Sequence, residues 1–294
     1  MVVISHADFR HRMSRRKWLG RIFHALCLLA IVIALAMLVA LLVNITSQGL
    51  SRVNWSFVTS FPSRTPEEAG IKGALLGSIY VVSIAGVVAF SLGVGAAIYL
   101  EEYAARNWYA AVVQTNIANL AGVPSIVYGL LGLEIFVRAM GLGKSVLAGG
   151  LTLALLVLPI IIVAAEEAFR AVPASIREGA YALGATRWQA IWHLVLPQAF
   201  PGILTGVILA VSRAMGEAAP LIVLGALTFV PFAPDSPLSR FTVLPIQIFN
   251  WTSRPQAGFH EAAAAGIIVL LIALLTMNAV AVFVRNKFQR KLEG

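Results

Sequence analysis

The sequence predicts an all-α integral membrane protein that crosses the bilayer six times. Its composition is the first indication, because 59% of its 294 residues are hydrophobic and 12% are charged, whereas soluble domains are about a quarter charged. The second is a series of six long apolar segments, each long enough for a helix to cross a bilayer, which takes about 20 residues. These segments cover residues 25–43, 73–100, 108–133, 145–165, 201–229 and 262–284.

Lysine and arginine are distributed unevenly across the membrane. With both termini on one side, that side holds fourteen of the 22 basic residues and the other side holds seven. Basic residues concentrate in cytoplasmic loops, so we expect both termini in the cytoplasm. The net charge of +9 is then explained by contact with anionic membrane lipid. Since no basic stretch is interleaved with stacking aromatic residues, we expect no nucleic-acid partner.

The chain divides into four parts. Residues 1–21 form a basic cytoplasmic N-terminus, and residues 22–72 hold the first transmembrane helix and a periplasmic segment. Residues 73–284 form the main transmembrane domain, in which a charged loop at 166–200 separates the fourth and fifth spans, and residues 285–294 form a cytoplasmic C-terminus. The first apolar segment is too long for a signal peptide and no cleavage site follows it, so we expect a retained helix.

Prolines mark two further features. Pro124 lies inside the third span, where proline removes a helix hydrogen bond and clashes with the preceding turn. A broken helix at membrane depth must lie against protein or a water-filled cavity, so the break is either a simple kink or a hinge beside a polar pathway. Five prolines in residues 230–261 predict a loop between the fifth and sixth spans.

The charged loop predicts a helix, a turn and a second helix on the cytoplasmic face. Gly184 permits the turn, and apolar residues from Trp188 to Val195 recur at the spacing of one helical face. Pro197 is expected to end the second helix. Such an amphipathic pair either lies on the membrane surface or docks in the groove of a partner protein.

Two charged residues lie within the fifth span. Arg213 and Glu217 are four residues apart and share one helical face. A charge at bilayer depth costs at least about 2.5–3.5 kcal/mol on insertion scales, so we expect the pair to face the bundle interior or a wet cavity. A guanidinium matches the geometry of phosphate oxygens, which indicates an anion site. The alternative is an intramembrane ion pair with a structural role only.

The chain has no recognisable catalytic or cofactor motif. Gly143-Lys144-Ser145 ends like a phosphate-binding loop, but that motif needs a glycine where this chain has Arg138. No histidine or cysteine cluster has metal-ligand spacing, and Cys27 is the only cysteine. We therefore expect no catalytic residue, no metal, no bound cofactor and no ATP hydrolysis by this chain alone.

The charged loop resembles the EAA loop of ABC-transporter permeases, whose pattern is E-A-A-x3-G-x9-I-x-L-P. Gly179 and Leu194 depart mildly from that pattern. The resemblance covers about residues 73–284 and implies a type I ABC importer permease whose coupling helices insert into a cytoplasmic ATPase subunit. The residues that match at the family's spacing are Glu178, Ala180, Gly184, Leu196 and Pro197.

The sequence of the fifth span indicates which group of ABC permeases the chain resembles. Residues 212–221, Ser-Arg-Ala-Met-Gly-Glu-Ala-Ala-Pro-Leu, are similar to a string of the A-type subunit of phosphate-specific permeases, and so are residues 122–129. Ala218 stands where that family usually has threonine, which removes one hydroxyl. The resemblance implies a substrate pathway and two helix breaks. The pathway residues are Arg213, Glu217, Ser125 and Tyr128, and the breaks are at Pro124 and Pro220.

The same resemblance implies an assembly in the inner membrane that imports inorganic phosphate. Its other members are a sister permease subunit in a heterodimer, two ATP-binding subunits that hold ATP with Mg, and a periplasmic phosphate-binding protein. The alternatives are an ABC permease for another oxyanion, molybdate or sulfate, a secondary transporter without an ATPase, and a membrane sensor. The coupling-loop spacing and the lack of an evident internal repeat argue against the secondary transporter.

Overall fold

The computed structural model describes residues 6–105, 107–226 and 229–293, and within these ranges the chain forms helices and no strand. The helices are α1 (His6–Gly49), α2 (Trp55–Thr59), α3 (Lys72–Ile98), α4 (Trp108–Leu120), α5 (Ser125–Gly132), α6 (Val146–Arg170), α7 (Ala174–Ala182), α8 (Arg187–Ala190), α9 (Leu196–Gly216), α10 (Ala219–Leu224), α11 (Leu244–Thr252) and α12 (Ala257–Glu293). Wider π-helical turns extend α3, α5 and α8 over Tyr99–Tyr103, Leu133–Ala139 and Ile191–Val195.

The predicted all-α membrane fold is confirmed. In the part of the chain that the structure describes, five helices are long and apolar enough to cross a bilayer. The sixth segment is the pair α4 and α5 with its π-helical extension, whose axes meet at 101°. Pro124 directly precedes α5, so the break that the sequence predicts is a right-angled corner, and its second arm continues beyond residue 133 to Ala139.

The helices α3 and α6 form the centre of the bundle, and small residues allow them to approach closely. A Cβ at Gly150 of α6 would lie 2.6 Å from Ile84, and a Cβ at Gly93 of α3 would lie 2.7 Å from Ile161. Helices in lipid associate through such close packing of small residues. The helix α9 packs against both α6 and α3, and the three helices share buried apolar side chains.

The first helix lies outside this centre. Along its apolar length α1 is exposed to the surroundings of the chain, and it packs against α12. Gly49 makes the closest approach, since a Cβ there would lie 2.6 Å from the backbone of Ala264. The helix begins at His6, so residues predicted as a basic N-terminal segment form its first turns.

The fifth span differs from its prediction at both ends. Pro197 does not end the second helix of the charged loop, because the preceding π-helical turn is wide and the N–H of Leu196 bonds to the carbonyl of Ile191. The wide turn accommodates the proline ring, which would clash with a tighter turn. The helix therefore runs without interruption from Arg187 to Gly216, instead of covering 201–229.

The segment predicted as the loop 230–261 contains a buried helix, so that prediction is wrong for α11. Pro245 is the second residue of α11, and proline in the first turn lacks only an N–H that has no partner within the helix. The N–H of Leu244 donates to the Ser78 hydroxyl at 2.8 Å. Trp251 packs against Phe57 with ring centres 5.9 Å apart, which fixes α11 between α3 and α12.

We expect Gly77→Ala to destabilise the protein. A Cβ at Gly77 would lie 2.0 Å from the carbonyl oxygen of Thr242, and overpacking of this kind costs about 1–3 kcal/mol. The thermal unfolding midpoint in detergent should therefore fall. Gly95→Ala is the matched control on the same helix, since a Cβ there meets no atom within 4 Å. Equal midpoints for the two variants would contradict this packing.

Candidate functional site

The charged loop folds as the helix pair α7 and α8 predicted from the sequence. Gly184 joins the helices with φ of +81°, a left-handed conformation that glycine adopts without strain. Thr186 caps α8, and its hydroxyl accepts a hydrogen bond from the N–H of Gln189 while the Gln189 side chain accepts one from the N–H of Thr186. This capping box defines where the second helix starts.

The helix pair has a buried inner face and an exposed apolar outer face. On the inner face, Ala180 of α7 is buried. On the outer face, Leu183 is 91% exposed, and Trp188 and Trp192 are exposed and stack with ring centres 5.5 Å apart. Exposed apolar patches of this kind mark contacts with another protein or a membrane.

The five residues that match the EAA pattern occupy different positions around this pair. Glu178 and Gly184 are exposed on its surface, whereas Ala180 is buried. Leu196 and Pro197 are half-buried in the first turn of α9. The pattern therefore combines surface residues with residues that shape the backbone of the pair.

Arg177 fastens the helix pair to the bundle. Its guanidinium donates to the carboxylate of Glu102 at 2.7 and 3.0 Å, and to the carbonyl oxygens of Phe169 and Val172 at 2.8 Å each. The Glu102 side chain is 5% exposed. Glu102 directly follows the second apolar segment and lies on the predicted side of the basic loop, a position that could have indicated the pairing.

The residues on either side of Glu102 also contact arginines in or beside the charged loop. Glu101 accepts a hydrogen bond from Arg170 at 3.1 Å, and the Arg187 guanidinium lies 5.6 Å from the ring centre of Tyr103. Three successive residues at the end of α3 thus contact three arginines from the fourth span, α7 and α8. The two ion pairs, Glu101 with Arg170 and Glu102 with Arg177, join residues that are 69 and 75 positions apart in the sequence.

The charged pair of the fifth span lies at a helix end. Arg213 is in the last turn of α9, and Glu217 follows the helix in an extended conformation. Their Nε and Oε1 atoms are 3.5 Å apart, so the expected pairing is present, although the two residues do not share one helix. The Arg213 side chain is 47% exposed. Because a charge facing lipid is costly, this exposed side indicates a wet cavity or a second protein chain.

The helices that follow the two breaks, α5 and α10, pack against each other beside this pair. A Cβ at Gly129 of α5 would lie 2.7 Å from Pro220 of α10, so the two helices touch. Tyr128 is buried, and its hydroxyl donates to the carbonyl of Leu120 at 2.8 Å, across the break between α4 and α5. Tyr128 belongs to the same buried apolar cluster as Ala214, the residue that follows Arg213. The structure therefore brings the Pro220 region, Tyr128 and Arg213 together.

Ser125 and Tyr128 are placed differently with respect to a pathway. Ser125 is the first residue of α5 and is half-buried. Tyr128 uses its hydroxyl to bridge the corner of the broken span, which is a structural contact. The geometry thus gives Tyr128 a role in holding the corner next to Arg213.

A separate pocket of about 310 Å³ lies between α3 and the segment that precedes α11. Tyr80 and Asp235 contribute to its lining. The Ser239 hydroxyl donates a hydrogen bond to Asp235 and lowers the pKa of that carboxyl below its ordinary value of 3.8. The carboxylate is therefore ionised at neutral pH and repels anions, so we do not place an anion site there.

The chain is similar to known proteins over most of its length. A family model described as "Binding-protein-dependent transport system inner membrane component" matches residues 89–294. The "Probable ABC transporter permease protein YqgI" of Bacillus subtilis is 35% identical over 90% of this chain and 94% of its own length. The "Phosphate transport system permease protein PstA" of Yersinia pestis is 33% identical over 95% of this chain and 94% of its own length.

Solved structures share the fold at low sequence identity. A bacterial ABC transporter involved in the import of the acidic polysaccharide alginate aligns with a TM-score of 0.66 at 16% identity, over 94% of this chain and 99% of that chain. An inward-facing MetNI methionine ABC transporter aligns with a TM-score of 0.60 at 15% identity, over 74% of this chain and 95% of that chain. The bundle is therefore that of type I ABC importer permeases.

Proposed function

We propose a function from one established premise: the chain belongs to the family of binding-protein-dependent transport system inner membrane components. It is a permease subunit, and phosphate transport permeases are 30–33% identical to it over most of its length. The chain is therefore the permease of an ATP-driven importer that moves inorganic phosphate across the cytoplasmic membrane. The structural observation that supports phosphate as the substrate is the Arg213–Glu217 ion pair.

The phosphate site is proposed at Arg213. The guanidinium offers a planar set of donors to phosphate oxygens, and Glu217 neutralises it when no anion is bound. At neutral pH a phosphate oxygen carries a proton that Glu217 can accept in a hydrogen bond, whereas sulfate and molybdate lack such a proton and would be repelled. This difference gives a physical reason for selecting phosphate over the other oxyanions.

The driving force is proposed to come from partner subunits. The permease relatives are not ATPases, and we assign ATP with Mg to two ATP-binding subunits in the cytoplasm. The exposed outer face of α7 and α8, with Leu183 at its tip, suits insertion into a groove of such a subunit. Large apolar side chains are common anchors of protein interfaces.

The remaining partners follow from the same family. We propose a sister permease that covers the exposed side of Arg213, and a periplasmic phosphate-binding protein at the outer end. A solved transporter with this fold is described in complex with a periplasmic protein, which supports the second partner. The basic-residue bias supports a cytoplasmic location for residues 1–21, 166–200 and 285–294, and we assign residues 73–284 to the permease domain.

The helix from Arg187 to Gly216 provides the mechanical link. It has 30 residues and spans about 45 Å at 1.5 Å per residue. A shift of the helix pair at its cytoplasmic end therefore moves Arg213 at its other end. In the proposed cycle, ATP binding moves the helix pair and opens the cavity beside Arg213 to the opposite side.

Competition in an uptake assay tests the substrate. In cells that rely on this importer for phosphate, unlabelled phosphate should suppress the uptake of labelled phosphate, whereas excess sulfate or molybdate should not. Equal suppression by molybdate or sulfate would favour the general oxyanion permease. Uptake that collapses with a proton ionophore while cellular ATP is held constant would favour a secondary transporter.

A further inference from the structure

A single side chain connects α7 to two other helices. The guanidinium of Arg177 holds Glu102 with Nε and Nη2, and holds the carbonyls of Val172 and Phe169 with Nη1 and Nη2. Glu102 lies at the end of α3, and the two carbonyls belong to the end of α6 and the turn after it. Arg177 therefore joins α7 to the central pair α3 and α6.

The contact is sheltered and geometrically specific. The side chains of Arg177 and Glu102 are 19% and 5% exposed, so solvent and salt screen the pair less than a surface pair. The planar fork of arginine lets four hydrogen bonds form in one arrangement. Lysine cannot reproduce this arrangement, because its ammonium is a single point of charge.

Without this contact, α7 is held to α6 and α3 by a short covalent connection and by apolar packing of Val172 and Ile176. Only residues 171–173 separate the two helices, and such a link can bend as a hinge. The other connection leads through α8 into α9. The helix α9 packs against α6 and α3 through apolar side chains, and such contacts are non-directional. Arg177 and Glu102 add a directional, charged contact that ties a tilt of the helix pair to α3 and α6.

We propose that Arg177 and Glu102 form a coupling clamp, which makes α3 and α6 follow the helix pair when the ATPase moves it. This inference rests on the proposed function of α7 and α8 as the docking element. Arg177 is a positioning residue in this scheme and does not touch the transported anion. With the clamp removed, ATP hydrolysis proceeds but moves the helix pair without rearranging the bundle.

The test uses the complete importer in proteoliposomes and measures phosphate transported per ATP hydrolysed. In Glu102→Gln and Arg177→Met we expect this ratio to fall by about tenfold, a typical size for energetic coupling between two sites. Glu102→Gln keeps the side-chain shape and so protects the fold. The ratio should also fall in Arg177→Lys, because lysine lacks the planar set of hydrogen-bond donors of arginine. The subunits should still co-purify and hydrolyse ATP near the wild-type rate.

Arg138→Met is the matched control. Arg138 also pairs with a glutamate, Glu134, at 2.8 Å, but both side chains are about two-thirds exposed at 66% and 65%. Exposed pairs of this kind contribute little, so the ratio should stay at the wild-type value. An unchanged ratio in both Glu102→Gln and Arg177→Met, in a complex whose wild type transports, would refute the clamp.

A chemical cross-link separates coupling from simple stability. Glu102→Cys and Arg177→Cys are combined in a Cys27→Ser background, and the two thiols are joined with a bifunctional reagent that a reductant cleaves. We expect the ratio to recover after cross-linking and to fall again after reduction. A cross-linked complex that does not recover would refute the clamp. A wild-type complex that moves no phosphate would instead refute the proposed function.

Discussion

Replacing Arg213 by alanine is expected to abolish phosphate uptake while the complex still assembles. A hydrogen bond to a charged group is worth about 1.5–3 kcal/mol, and a bidentate contact provides two, so uptake at limiting phosphate should fall about 100-fold or more. Glu217 would in addition be left without its cation and would repel the anion. The initial rate of labelled phosphate uptake measures this, with assembly checked by co-purification.

Two further variants decide between an anion site and a structural ion pair. Arg213→Lys retains the positive charge but lacks the planar set of donors of the guanidinium. It should therefore transport phosphate more slowly than wild type but faster than the alanine variant. Removing both charges, with Arg213→Ala and Glu217→Ala together, leaves no unpaired charge in the membrane. If the pair were only structural, this double variant would regain uptake. The anion-site account predicts that it stays inactive.

Replacing Leu183 by aspartate is expected to prevent the ATPase subunit from binding. Leu183 is 91% exposed at the tip of the helix pair, so the substitution should leave the fold of this chain intact. A charge placed in an apolar interface costs at least about 2 kcal/mol when the residue is an anchor, or roughly 30-fold in affinity. Co-purification of the ATPase with the membrane complex measures the loss.

Leu238→Asp is the matched control for this experiment. Leu238 is also exposed, at 62%, but it lies next to the beginning of α6, where the N–H of Leu147 bonds to the carbonyl of Pro237. The helix pair follows the opposite end of α6. Equal recovery of the ATPase with wild type and Leu183→Asp would show that docking uses a different surface.

The membrane spans and the helix pair could be predicted from the sequence because their signals are local. Apolar segments of sufficient length, Gly184 and the proline in the third span act on their immediate neighbours. The continuation of the helix through Pro197 could not be predicted, since it depends on the π-helical turn before that proline. Likewise, α11 was missed because Pro245 starts a helix that tertiary packing completes.

In the candidate site, too, some features are visible in the sequence and others appear only in the fold. Arg213 and Glu217 stand out in the sequence because charges are rare in an apolar span, and the structure pairs them. The contact of Glu102 with Arg177 joins residues 75 positions apart, so no local pattern reveals it. We propose that a sister permease covers the exposed side of Arg213, and the sequence of one chain cannot specify that neighbour.

Phosphate accumulation by the purified importer in proteoliposomes tests the central claim most directly. The chain is reconstituted with its sister permease, the ATPase subunits and the phosphate-binding protein, and labelled phosphate is measured on the far side of the membrane with and without ATP. We predict accumulation that requires ATP and is lost in the Arg213→Ala complex. Wild-type complex that hydrolyses ATP without moving phosphate, or that moves it equally well without ATP, would contradict the account.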